Sequence, residues 1–245
     1  MTPTAARYIA MLSSILVGMP VGSFYSWSVF ILPLQMARPN FATAVSVHAD
    51  SVVIAGLGVA CAITGRLVGK VGPRVWSAVS ALVSAAGLAV CAASVFYNVE
   101  ALMYLGAAAN GLGMGGCYVC FIKVFKQHWA HAPGFAAGWV MFVSSAGSFV
   151  FVWICESLLV GFGEMAHSTP AMPPAATFLV LAGILLVLQF FGSFLFLEVS
   201  SPTPKSKPLL DDDSRKTTEL DPAADSSDPG DDGSATTSIT LNRNP

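Results

Sequence analysis

Six long runs of apolar residues, parted by short breaks rich in Gly, Pro and charge, account for most of the chain before residue 198. They fall at about 8–34, 48–68, 75–97, 101–125, 135–160 and 175–197. Each is close to or above the roughly 20 apolar residues needed to cross a hydrocarbon core of about 30 Å. The pattern predicts an all-α membrane protein with six transmembrane helices. The breaks are a polar stretch over 35–47 with Arg38, Pro39 and Asn40, the turn 69–74, the trio Asn98, Val99 and Glu100, and the polar connection 126–134. The last break holds Gly161, Gly163, Glu164, His167 and several prolines. The first run is too long for a signal peptide and lacks a small-residue cleavage pattern before a polar mature start, so it reads as the first span. Within it, Pro20 removes a backbone donor that neighbouring groups must compensate. Gly18 and Gly22, four residues apart, predict close approach of a second helix along one stripe.

After about residue 199 the pattern stops and the chain turns to Ser, Thr, Pro, Asp and Lys. Such a segment buries too little apolar surface to offset ordering entropy, and 199–245 is expected to be a disordered cytoplasmic tail. Composition fits this division, with 54% hydrophobic and only 11% charged residues and a mean hydropathy of +0.67, against roughly 25% charged in a soluble domain. The tail carries Asp211, Asp212, Asp213, Glu219, Asp221, Asp225, Asp228, Asp231 and Asp232, leaving a nearly neutral body. No basic surface for nucleic acid is present. Six crossings put both termini on one side. With that side cytoplasmic, Arg7, Arg66, Lys70, Arg74, Lys123, Lys126 and the tail cations lie inside and Arg38 alone lies outside, as the excess of cations on cytoplasmic segments requires.

Cys61, Cys91, Cys117, Cys120 and Cys155 all fall in apolar runs and are expected to be buried free thiols. The CxxC of Cys117 and Cys120 lacks further ligands nearby. His48, His128, His131 and His167 have no metal-ligand spacing. No metal or cofactor is expected. Nor do a nucleophile with its base, or paired carboxylates, occur at membrane depth, which argues against an enzyme.

The segment GRLVGKVGPR, 65–74, resembles the loop between the second and third helices of the major facilitator superfamily, GxLxDRxGxR. Gly65, Leu67, Gly72 and Arg74 match, Lys70 stands at the family arginine, and Gly69 replaces the family aspartate. GSFYSWSVFILPLQ, beginning at Gly22, is similar to the YSWGVFLPPLQ segment of oxalate/formate antiporters and monocarboxylate transporters. GLGMGGCYVCF, beginning at Gly111, resembles their GLGxGxxY pattern, and Trp129 with GFAAG resembles WFPxxRGLAxG without its arginines. The resemblance covers about 8–198. It implies one six-helix half of a twelve-helix fold with inverted three-helix repeats, and a midplane site between halves. Implied too is transport of a small organic anion such as a monocarboxylate by alternating access, with a second half or a homodimer completing the machine. The alternative is a non-transporting membrane partner or regulator of a full-length relative. The arginine motif and GPxxGG pattern of proton-coupled drug antiporters are missing.

An anion pathway needs hydrogen-bond donors or a cation in an apolar cavity. The polar side chains at suitable depth are Tyr25, Trp27, Asn110, Tyr118, Ser144 and Ser145, with the resemblance favouring Tyr25 and Tyr118. Glu156 is a candidate for proton coupling. Gly65, Lys70, Gly72 and Arg74 are the gating-loop candidates, while Lys123 and Lys126 are expected to reach toward the headgroups.

Overall fold

The computed structural model describes residues 3–37, 43–165 and 172–196. They form helices α1 (Pro3–Val21), α2 (Ile31–Ala37), α3 (Thr43–Val71), α4 (Pro73–Tyr97), α5 (Glu100–His128), α6 (Pro133–Met165) and α7 (Met172–Phe194), with a 3₁₀ stretch, Gly22–Phe30, joining α1 to α2. No strand occurs among the described residues. Six spans are long and apolar enough to cross a membrane, the first running through α1, the 3₁₀ stretch and α2. The predicted tail, Arg38 and His167 lie outside the described residues.

The first span departs from a single continuous helix, and Pro20 is the reason. Its ring excludes the N–H and crowds the carbonyl four residues back, and the chain tightens into 3₁₀ geometry two residues later. A 3₁₀ run of this length is uncommon. It is held from outside: Gly22 abuts the α6 backbone at Ser144 and Ser148, and the Ser148 hydroxyl donates to the Gly22 carbonyl at 3.0 Å. Gly18 likewise meets Val143 and Phe121. The expected packing stripe is therefore present, with α6 as its main partner.

Two other boundaries differ from expectation. The break over 35–47 is helical at both ends, because Val45, Ser46, Ala49 and Val53 already form a buried stripe, and the Trp27 indole N–H donates to the Ser46 carbonyl at 3.0 Å. The fifth span continues through Gly161, Gly163 and Glu164 to Met165. Helical hydrogen bonding there overrides the glycines' low propensity.

Numbered as spans one to six, the helices pair in a repeating way. Span four (α5) packs on spans three (α4) and two (α3), as span one packs on six (α7) and five (α6). Spans one and four touch each other, and so do three and six. The slighter contacts of one with two and two with three recur as four with five and five with six. Exchanging the first three spans for the last three leaves this pattern unchanged. Because three crossings reverse direction, that is the connectivity of an inverted repeat.

Two buried clusters stack along the bundle. One gathers Trp27, Phe30, Leu34, Leu88, Met103 and Phe178, with Phe30 and Phe178 stacked at 4.3 Å. The other holds Val17, Phe121, Phe125, Val140 and Phe196. Beside it an aromatic group of Phe125, Trp129, Phe135 and Trp139 ties the end of α5 to the start of α6. Trp139 donates to the Ser14 hydroxyl at 2.8 Å, and the Arg7 guanidinium lies 5.5 Å from the Trp129 ring centroid. Indoles and a cation at helix ends are the usual furniture of a membrane interface. Deeper in the bundle, α4, α5 and α7 are joined by small polar groups: Ser193 donates to Ser77 at 2.7 Å, and the Cys117 thiol to the Ser77 carbonyl at 3.5 Å. Cys91, Cys117, Cys120 and Cys155 are buried free thiols and Cys61 is half-buried.

Candidate functional site

Tyr118 is the sequence candidate that lines a cavity. It sits on α5 midway between its packed and open sides, half-buried, with its ring 6.3 Å from Phe121. One turn before it on α5, the Gly115 carbonyl accepts from the Cys61 thiol of α3 at 3.8 Å. On its other flank Tyr118 lines a cavity of about 100 Å³ with Ile122 and Lys126 of α5 and Ala137, Val140 and Met141 of α6. Tyr118 thus borders an open cavity shared by α5 and α6.

The remaining sequence candidates divide sharply by burial. Tyr25 is 60% exposed, its ring against Phe24 at 3.8 Å. Trp27 is 4% exposed; besides its bond to Ser46 it packs against Phe178 at 5.6 Å. Asn110 is 2% exposed, and its Oδ1 accepts from the Ser84 hydroxyl at 2.8 Å across the α4–α5 contact. Both side chains are engaged in helix packing. Ser144 turns back on its own helix, donating to the Val140 carbonyl at 3.0 Å, while Ser145 is exposed. Glu156 is exposed on α6.

The turn between α3 and α4 is compact. Gly72 has φ 89° and ψ 149°, a conformation costly for any residue with a Cβ. Its N–H donates to the Val68 carbonyl at 3.1 Å and its carbonyl accepts from the Trp76 N–H at 3.3 Å. Pro73 then opens α4, where a missing N–H costs nothing. The Arg74 Nε–H donates to the Phe196 carbonyl, joining the turn to the end of α7. Lys70 and Gly65 face outward, and a Cβ at Gly65 or Gly69 would meet nothing within 4 Å.

Charge is segregated along the bundle. Arg7, Arg66, Lys70, Arg74, Lys123 and Lys126 all stand toward the end where α3 meets α4 and α5 meets α6. Asp50, Glu100, Glu156 and Glu164 stand toward the other. Among the described residues, no group of three His, Cys, Asp or Glu side chains could hold a metal ion.

Sequence reasoning did not single out Ile122, Val140 and Met141, which line the cavity, nor Ser84, which fixes Asn110. The four-residue spacing of Tyr118, Ile122 and Lys126 was the available signal for the first, since it places them on one helix stripe. Ser84 had none, because its partner lies on another span. No protein-family model matches the chain. No curated protein matches it either.

Proposed function

We propose that the chain is a six-helix half of the major-facilitator type. It moves a small organic anion such as a monocarboxylate across the bilayer by alternating access, with a second half or a second copy closing the face around Tyr118. The observation that carries this is the exchange symmetry of helix packing, with spans one to three and four to six entering the same set of contacts. Inverted repeats of this kind, with a site near the midplane where repeats meet, characterise alternating-access carriers. The loop and helix motifs that resemble the superfamily fall at matching places: the turn at Gly72 joins α3 to α4, and the GLGMGGCY segment forms the packed middle of α5. In this assignment the basic end faces the cytoplasm, following the distribution of Arg and Lys.

In mechanism, Tyr25 and Tyr118 supply hydroxyl donors to the anion's oxygens in a cleft of low polarity. Desolvation there makes each hydrogen bond to the anion count for more than it would in water. Trp27 and Asn110 support the site indirectly, by locking the 3₁₀ stretch to α3 and α5 to α4. Rocking of the half against its partner then exposes the face to one side or the other. The test is uptake: vesicles reconstituted with the full chain should accumulate labelled monocarboxylate above protein-free vesicles. Uptake indistinguishable from protein-free vesicles, with the protein intact and inserted, rejects transport by this chain alone.

Gly69 favours a second role. The carboxylate that the superfamily pattern carries there is missing, and a Cβ at the position would meet no group of another element within 4 Å, so the charge pair that the resemblance implies for the gate is absent. A regulator or partner of a full-length transporter fits that loss. Stable co-purification with such a transporter, together with absent uptake, would select it.

A further inference from the structure

The cavity beside Tyr118 has a shape and a charge that the transport scheme leaves unused. α5 and α6 touch only slightly, and the gap between them is floored by Ile122, Ala137, Val140 and Met141. Its polar groups stand at its two ends. Tyr118 and Lys126 are eight residues apart on α5, which separates their Cα atoms by about 12 Å. Because helical side chains lean toward the N-terminus, Lys126 lies back over the turn of Ile122, toward the cavity. No Asp or Glu of the described residues stands at that end of the bundle. Arg7 is engaged with Trp129 and Arg74 with the Phe196 carbonyl; of the cations at that end, Lys126 is the one that lines the cavity, and it is exposed. A cation beside an apolar trough, with no carboxylate near, is complementary to an amphipathic anion.

We propose that the α5–α6 groove is a second anion site, apart from the Tyr25 and Tyr118 donors, that binds an anion with a compact apolar body, its carboxylate or phosphate on the Lys126 ammonium and its carbon chain along Ile122, Val140 and Met141. The cavity of about 100 Å³ is several times the roughly 10–15 Å³ that a single water requires. That suits a short monocarboxylate, or the first carbons below the headgroup of an acidic acyl lipid. This deepens the transport reading and rests on it for the free-carboxylate source, but occupancy is measured without transport.

The full chain carrying Met141→Cys is placed in phosphatidylcholine nanodiscs, and alkylation of the introduced thiol is followed by peptide mass. Butyrate at about twice its Kd should slow alkylation about threefold by mass action; butanol should leave the rate unchanged. Adding K126Q should abolish the protection and K126R should retain it, in protein that elutes as a single species. Protection by butyrate assigns the groove to a free carboxylate. Protection by phosphatidylserine nanodiscs, with butyrate inert, assigns it to a lipid headgroup. The proposal is overturned if neither probe protects, if butanol protects equally, or if protection survives K126Q. Butyrate protection without vesicle uptake would reject transport and leave this site standing.

Discussion

The glycines of α5 and those on the outer side of α3 live in opposite surroundings. On α5, a Cβ at Gly106, Gly111, Gly113, Gly115 or Gly116 would collide with α3 or α4. On α3, Gly56 is packed in the same way against α5, but Gly58, Gly65 and Gly69 face open space. Gly134 and Gly138 on α6 are open as well. The apolar windows of α3 and α6 are 22% and 28% buried, against 56% and 61% for α4 and α5. The same residue type therefore serves two purposes. In the centre it brings backbones together, where dispersion and small polar contacts hold a bundle that gains little from the hydrophobic effect. On α3 and α6 it leaves open positions among exposed apolar side chains, the surface that the proposed second half or second copy would cover.

The sharpest way to break this contrast is to add bulk on each side of it. Gly113→Leu would drive a side chain into the α4 backbone at Ser80 and Ser84, and overpacking of that kind costs about 3 kcal/mol. The variant should lose its single species on size exclusion, while Gly58→Leu should keep it. Equal behaviour of the two would dissolve the distinction between scaffold and open face.

A smaller effect separates polar groups in the same two regions. Ser84→Ala removes the donor to buried Asn110, and stranding a buried acceptor costs about 1–3 kcal/mol. Its thermal midpoint should fall clearly below that of Ser157→Ala. Ser157 is exposed and bonds only to the Trp153 carbonyl of its own turn, so its loss should stay within about 0.5 kcal/mol. Smallest is Gly58→Ala. With nothing within 4 Å, the substitution should raise stability by at most about 1 kcal/mol through helix propensity, read as a slightly higher midpoint.

The six spans and their order were legible because each is an apolar run of membrane length, and no tertiary information is needed to see that. Gly18 and Gly22 also announced a close contact, though not that α6 would provide it. The conversion of the first span to 3₁₀ geometry was hidden, since Pro20 signals a disturbed helix without saying what holds the chain after it; the Ser148 hydroxyl, far along the chain, anchors that stretch at the Gly22 carbonyl. The site was readable in part. Tyr25 is exposed and Tyr118 half-buried, whereas Trp27 and Asn110 are held in helix contacts by Ser46 and Ser84. Those hydrogen bonds join residues on different spans, and a single sequence carries no mark of them. The lining of the α5–α6 groove was half-visible, in the helical spacing from Tyr118 to Lys126, but its opposite wall depends on how α6 leans.

If the face between α3 and α6 is the working surface, uptake must depend on it. Labelled butyrate should enter vesicles bearing the wild-type chain. It should enter at least about tenfold more slowly with Tyr118→Ala, a loss of about 1.4 kcal/mol in binding or transition-state stabilisation, and at the wild-type rate with Gly183→Ala, an open position on α7. Tyr118→Ala vesicles that take up butyrate as fast as wild type, or wild-type vesicles no faster than protein-free ones, would contradict the account.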